Sequence, residues 1–307
     1  MRPTAGLVSR TGVWNGWPTL NGSLGPIARS VEDLARLLDI MVGYDPDDPL
    51  TAYSVGQTPD SYTKFLDKNG LKGARLGILR EPIGQGSEPN SEDFKKVSEV
   101  FDKAVQELKT AGAEVVDPIV IPRLKELLAQ RGGGEGGGGE DFQVYVRRNP
   151  NFPFKSQEDI VRSPDFDKVW PGAQVRLRGS GAASTPAPAR NTGGRDPRQE
   201  LMINVLKVMA DNRLDAIVYN SVEHQPTLIS EGMNPPFVSA KGAPQFNTFL
   251  IFVPAISVPA GFTRDNLPAG ITFQGRPFSD GMMIKLAYAY EQATHHRKPP
   301  QTVPGLQ

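Results

Sequence analysis

Three imidazole side chains are present in this 307-residue sequence: His224, His295 and His296. A Ser–His–Asp hydrolase needs a histidine as its general base, so these residues decide whether that chemistry is open to the chain. His224, in SVEHQP, follows the end of a predicted strand, where active-site loops of α/β proteins often lie, so a site role is the alternative; we favour a loop histidine without a catalytic role. His295 and His296 lie at the predicted C-terminal end of a helix, where a positive charge is favourable, and that role is sufficient for them.

Cofactor and metal motifs are weak or missing in the sequence. The GQG run at residues 84–86 lies between a predicted strand and helix, but it lacks the full GxGxxG pattern, and Pro82 and Pro89 flank it. We therefore predict a plain connection there and no dinucleotide cofactor. Because the chain has no cysteine, no HExxH motif and no carboxylate cluster, we expect no metal site.

Composition excludes several classes of protein. Lys and Arg total 34, Asp and Glu also total 34, and the isoelectric point is about 6.9, so the sequence lacks the basic footprint of a nucleic-acid or membrane-surface protein. The first residues lack the apolar run of a signal peptide, and no stretch approaches the roughly 20 apolar residues of a membrane span. We expect a small-molecule partner, and the cytoplasm as the default location.

The first half of the chain predicts alternating helices and strands. Ser30 is suited to cap a helix whose apolar residues recur on one face, namely Val31, Leu34, Leu37, Leu38 and Met41. The short apolar strand LKGARLGILR then precedes a helix in NSEDFKKVSEVFDKAVQELKTAGAEVV, and residues 115–121 return as a strand. Two strands joined by a helix favour a parallel crossover, which indicates an α/β sheet.

Two segments interrupt this order. Residues 131–140, RGGGEGGGGE, predict a flexible Gly-rich tract, and residues 171–198 predict a long irregular surface loop. After them, a helix is predicted from about residue 198, a buried strand over 216–219 and a strand region in IFVPAISVPAGF. A final helix is predicted to begin near Ser279 and to end before Pro299.

The segment PAISVPAGFTRDNLPAGITFQGRPFSDGMMIKLAYAYEQAT resembles the C-terminal signature of the amidase signature family. RPTAGLVSRTG and LNGSLGPIARSVEDLARLLDIMVGYDPDDP resemble the family segment that follows the catalytic serine loop, and LDAIVYNS resembles a strand of that fold. The resemblance implies an α/β fold with a mixed β-sheet flanked by helices, and hydrolysis of carbon–nitrogen amide bonds without metal or organic cofactor. It also implies that residues 1–307 form a single partial amidase domain.

The family hydrolyses amides with a Ser–cis-Ser–Lys triad and a Gly-Ser-rich oxyanion loop. By resemblance, all of these belong upstream of Met1, so the fold is expected to be incomplete at the N-terminus and the chain to be inactive alone. Three explanations stay open: a truncated amidase, a non-catalytic binding or scaffolding protein derived from one, or a piece complemented by a separate fragment. We favour the first, because no new catalytic loop has been added.

The resemblance also implies which residues line the substrate cleft, because the family varies its specificity on the corresponding loops. The candidates are Arg10, Asn21, Gly22, Ser23, Phe246, Asn247, Thr248 and Gln274. A buried ion pair is the alternative for Arg10, and satisfaction of a strand edge is the alternative for Gln274. Ser9 and Ser23 carry hydroxyls near this cleft, but as nucleophiles neither has an evident base, so we favour turn formation as their role.

The partner expected from the resemblance is a small amide substrate. The missing strands should leave sheet edges that promote self-association. A free-standing amidase and a relative of the A subunit of glutamyl-tRNA amidotransferase both fit the pattern, and the lack of a basic surface favours the former.

Overall fold

The computed structural model describes residues 1–13, 23–130, 138–169, 171–179, 197–244, 246, 250 and 253–299. A mixed five-stranded sheet lies at its centre, with the strand order β3-β1-β4-β7-β6. The main strands are β1 (Arg75–Leu79), β3 (Glu114–Ile119), β4 (Ala216–Asn220), β6 (Ala255–Phe262) and β7 (Pro268–Gln274). A separate short pair joins β2 (Gly84–Gln85) to β5 (Ala243–Pro244).

Helices cover both faces of this sheet. They are α1 (Val31–Met41), α2 (Glu92–Thr110), α3 (Leu124–Ala129), α4 (Gly138–Arg148), α5 (Gln157–Val161), α6 (Pro171–Gly179), α7 (Pro197–Asp211), α8 (Ile229–Met233) and α9 (Asp280–Thr294). No helix within the described ranges is both long and apolar enough to cross a bilayer. The layered arrangement agrees with the predicted α/β class.

The predicted strand–helix–strand unit is confirmed. β1 pairs in parallel with β3 and with β4, whereas β7 runs antiparallel to both β4 and β6. Ser30 caps α1 by accepting a hydrogen bond from the Asp33 amide, and Ser91 caps α2 in the same way through Phe94. Each cap satisfies a backbone donor that the first helical turn leaves unpaired.

Two hydrophobic cores form because successive strand residues point to opposite faces. In β4, Ala216 and Val218 pack into the core beneath α1, α2 and α9. Ile217 and Tyr219 pack into the second core, beneath α3 and α7. The second face is the one that carries the candidate site.

The segment predicted to be irregular over residues 171–198 begins as a helix. α6 covers Pro171–Gly179 and α7 starts at Pro197, while residues 180–196 lie outside the described ranges. Proline fits the first helical position because its missing N–H has no partner there, and the following Gln174 and Leu177 are good helix formers. The Gly-rich tract likewise enters α4 at Gly138, and residues 131–137 are not described.

Candidate functional site

Four of the predicted cleft residues fall within the described structure: Arg10, Ser23, Phe246 and Gln274. The other four, Asn21, Gly22, Asn247 and Thr248, lie outside the described ranges. Ser23, Phe246 and Gln274 are connected through a small group of contacts near the start of β6. Arg10 is held by a different set of partners.

Gln274 is the last residue of β7 and is fully buried. It lies opposite Ala255 of β6 and Ile217 of β4 in the sheet register. Its Oε1 accepts a hydrogen bond of 3.2 Å from the Tyr219 hydroxyl, but its Nε2 has no acceptor among the described residues. A buried donor left unpaired costs about 1–3 kcal/mol, so this NH₂ group calls for an acceptor outside the described residues.

Tyr219, which packs against Phe246, orients this amide. Their rings meet edge to face, with centroids 5.7 Å apart, and both side chains are buried. Burial raises the pKa of the Tyr219 hydroxyl, which therefore stays protonated and donates to Gln274. The Tyr219 bond fixes which end of the amide is the oxygen, so the NH₂ group lies at the other end.

Arg2, which the sequence pattern did not single out, lies at the start of β6 and close to Tyr219. Its backbone N–H and C=O each form a 2.8 Å hydrogen bond with Ala255, the residue opposite Gln274. Its Nη1 lies 3.4 Å from the carbonyl oxygens of Leu250 and Val253, and burial lowers the pKa of its guanidinium. The sequence signal that could have pointed to Arg2 was its position as the charged first residue of the segment RPTAG, which resembles the family.

Ser23 joins the same region through Pro3. Its Oγ donates to the Pro3 carbonyl at 3.2 Å. Gly25 makes this packing close, because an added Cβ would lie 2.6 Å from the Pro3 ring. We call Arg2, Tyr219, Phe246 and Gln274 the Arg2 cluster, and the loop of Ser23 lies against the chain segment that carries Arg2.

Arg10 forms a buried ion pair with Asp48. Its Nε and Nη2 donate to the two carboxylate oxygens at 2.8 and 2.6 Å, and its backbone N–H donates to the same carboxylate at 2.9 Å. The side chains are 3% and 0% exposed. Burial acts to raise the pKa of Asp48, but hydrogen bonds from Arg10 hold it below its ordinary value. This geometry supports the structural alternative for Arg10, and its place in a cleft stays a prediction.

The serines considered as nucleophiles have acceptors rather than bases. Ser9 Oγ donates to Asp45 Oδ2 at 2.5 Å, and Ser23 donates to a carbonyl. Hydrogen bonds, first of all from Ser9, lower the pKa of Asp45, so this carboxylate is a poor proton acceptor. Across the described ranges, no serine hydroxyl is hydrogen-bonded to a lysine amine or an imidazole.

The three histidines also lack a hydroxyl partner within the described ranges. His224 binds the Gln225 carbonyl through Nδ1 at 2.8 Å, and its Nε2 lies 3.6 Å from the Glu88 carboxylate. His296 Nε2 lies 2.8 Å from Glu107, and His295 is the left-handed C-cap of α9. In the same part of the chain, no three His, Cys, Asp or Glu side chains group in a way that could hold a metal ion.

Comparisons with known proteins agree with this fold. The family model described as Amidase matches residues 1–284. The chain is 29% identical to a probable amidase of Arabidopsis thaliana over 99% of this chain and 54% of that protein, and 30% identical to the A subunit of glutamyl-tRNA(Gln) amidotransferase of Gloeothece citriformis over 98% and 61%. The crystal structure of native peptide amidase from Stenotrophomonas maltophilia superposes with a TM-score of 0.73 at 28% identity, covering 97% of this chain and 58% of that one. The chain thus spans about half to three fifths of the length of these three relatives.

Proposed function

Because the chain belongs to the amidase signature family, we propose that it forms the substrate-cleft side of a hydrolase that cleaves carbon–nitrogen amide bonds. The observation that carries this proposal is the buried Gln274, whose NH₂ group has no acceptor among the described residues. An amide substrate offers carbonyl oxygens that can accept from such a donor. Arg2 and the loop of Ser23 border the same region.

Gln274 acts here as a positioning residue. The Tyr219 hydroxyl, whose ring packs against Phe246, holds its amide in one orientation, so little side-chain entropy is lost when a carbonyl binds. The cleft assignment of Arg10, Asn21, Gly22, Asn247 and Thr248 belongs to the same proposal.

The chain by itself is proposed not to turn over amides. Acyl transfer to a serine needs a base that removes the hydroxyl proton, and the described serines donate instead to carboxylates, carbonyls and other hydroxyls. The Ser–cis-Ser–Lys chemistry implied by the family is therefore not assigned to Ser9 or Ser23.

The substrate class we propose is an amidated peptide. The likeness to peptide amidase supports this choice, with a TM-score of 0.73 across 97% of the chain. Amidotransferase-type chemistry is the second candidate, favoured by the 30% identity to the glutamyl-tRNA(Gln) amidotransferase protein. In both cases the proposed partner is a small amide. We further propose that the protein is located in the cytoplasm and binds neither nucleic acid nor membranes.

Hydrolysis of peptide amides and aryl amides by the purified 307-residue chain tests this function. We expect no release of ammonia or aniline above buffer, with binding of a peptide amide detectable by saturation-transfer NMR and weakened by Gln274→Leu. An exposed substitution, Gln106→Leu, is the matched control. Peptide-amide binding that is unchanged by Gln274→Leu would contradict the cleft assignment. Binding without turnover, also after addition of a fragment that carries a Ser–cis-Ser–Lys triad, would favour the non-catalytic binding or scaffolding alternative.

We also expect the chain to associate with itself through β6. Arg2 bridges this strand only at Ala255, and along the rest of its outer edge no strand pairs with it in the described structure. Unpaired N–H and C=O groups on an edge strand template pairing with another chain. The opposite edge, β3, carries charge, because Asp117 forms an ion pair with Arg80 there.

Light scattering after size exclusion, over a range of protein concentrations, checks this association. Ser257→Lys places a charge on an exposed position of β6 and should reduce the oligomer fraction. Thr110→Lys, on the exposed face of α2, carries the same charge away from the edge and should not. A monomer at all concentrations, with a sharp cooperative melt and no binding of an apolar dye, would contradict the prediction.

A further inference from the structure

A cavity of about 250 Å³ opens between the start of α1 and the end of α9, beside Pro259 of β6. Its lining comprises Arg29, Ser30, Pro259, Glu291, Gln292, Thr294, His295, His296 and Arg297. None of these residues belongs to the Arg2 cluster, so the cavity is separate from the proposed cleft. Its volume is below that of a typical drug-sized pocket, which suits a small molecule or a terminal group.

Two guanidinium groups line this cavity, and neither is paired with its lining carboxylate, Glu291. Arg29 and Arg297 are exposed, and neither forms a hydrogen bond or ion pair with another residue of the described structure. Elsewhere in the described chain, arginines such as Arg36, Arg80 and Arg123 are paired with carboxylates. Here, two unpaired arginines line the same cavity.

The acidic groups near the cavity are already engaged. Glu291 accepts two contacts from the Val31 amide, at 3.1 and 3.2 Å, and so caps α1. Glu107 accepts from the Tyr290 hydroxyl at 2.7 Å and contacts His296 Nε2 at 2.8 Å. Both carboxylates are directed at partners within the fold, which leaves Arg29, Arg297 and the exposed His295 to meet a ligand.

We propose that this cavity binds a small molecule through an oxyanion group, a phosphate or a carboxylate, held between Arg29 and Arg297. A guanidinium presents paired N–H donors that match two oxygens of such a group, and these charge-assisted hydrogen bonds are about twice as strong as neutral ones. His295 supplies a further donor at the mouth. Thr294 does not take part, because its hydroxyl donates to the Tyr290 carbonyl. Ser30 Oγ accepts from the Asp33 amide in the cap of α1, so its O–H is left to donate to the ligand.

Isothermal titration of the full chain with inorganic phosphate and, separately, with acetate tests the site, with ionic strength held constant by chloride. We expect saturable binding that Arg29→Ala/Arg297→Ala weakens at least about tenfold. Lys68→Ala/Lys109→Ala removes the same charge at two exposed lysines that do not line the cavity, and should leave affinity unchanged.

The two titrants distinguish the sources of the oxyanion. Tighter binding of phosphate assigns a phosphate-bearing ligand, and tighter binding of acetate assigns a carboxylate. No saturable heat with either anion would overturn the proposal, as would equal losses in the arginine and lysine variants, because the attraction would then follow net charge alone. Thermal melts of both double variants verify that each is folded.

Discussion

Asp48→Ala is expected to lower the free energy of unfolding by about 3–5 kcal/mol, the usual cost of leaving one partner of a buried ion pair unpaired. The carboxylate of Asp48 receives three hydrogen bonds from Arg10 and one from the Leu50 amide. Removal of this carboxylate leaves the Arg10 guanidinium, which is only 3% exposed, without its ion-pair partner. Urea unfolding followed by circular dichroism measures the loss.

Arg10→Ala should lower the free energy of unfolding by a similar amount, because it leaves the buried Asp48 carboxylate without its ion-pair partner. Glu32→Ala breaks the exposed Arg36 pair on α1 and provides the control, with a much smaller effect. A nearly neutral Arg10→Ala would contradict the structural role of this residue. The predicted place of Arg10 in the substrate cleft would then gain weight, since a buried arginine that does not stabilise the fold is retained for another purpose.

Asp280 is expected to make the chain less stable as the pH rises from about 4 to about 6. Burial raises the pKa of this carboxyl to about 6, from an ordinary value of 3.8, although hydrogen bonds from Thr4 at 2.9 and 2.6 Å act in the opposite direction. Because the folded pKa is the higher one, the folded chain holds an extra proton between these values. The stabilisation is complete below pH 4 and is lost through pH 6, by about 3 kcal/mol.

Asp280→Asn removes this proton while keeping a side chain of the same shape. The difference in unfolding free energy between the natural chain and the variant should therefore change by about 3 kcal/mol between pH 4 and pH 7. Taking the difference cancels the opposite trend of Asp48, whose lowered pKa makes stability fall in acid. A difference that stays constant across this range would show that Asp280 has an ordinary pKa in the folded chain.

Local patterns predicted the elements of the fold well. The apolar spacing after Ser30 and Ser91 identified α1 and α2, and the short apolar runs identified β1, β3 and β4. These features depend on neighbours within one or two helical turns, which sequence periodicity reports directly. The helix α6 was missed because glycine and proline dominate the surrounding composition and hide its few helix-forming residues.

The candidate site depended on contacts that no local pattern reports. Arg2 and Ala255 are paired across 253 positions of sequence, and Thr4 binds Asp280 across 276. The resemblance drew attention to Gln274, but its unpaired NH₂ group and its bond to Tyr219 follow from strand register. The sequence did not point to Arg2 because its contacts are with Ala255 and the neighbouring carbonyls, which come close to it only in the folded chain.

A serine-directed fluorophosphonate probe, read by intact mass, tests most directly the claim that this chain forms the cleft side of an amide hydrolase without a reactive serine. The probe reports an activated hydroxyl whatever the preferred substrate. We predict no adduct on the folded 307-residue chain, because Ser9 and Ser23 donate to Asp45 and the Pro3 carbonyl instead of to a base. A stoichiometric adduct that disappears in Ser9→Ala or Ser23→Ala, together with amide turnover, would contradict the account.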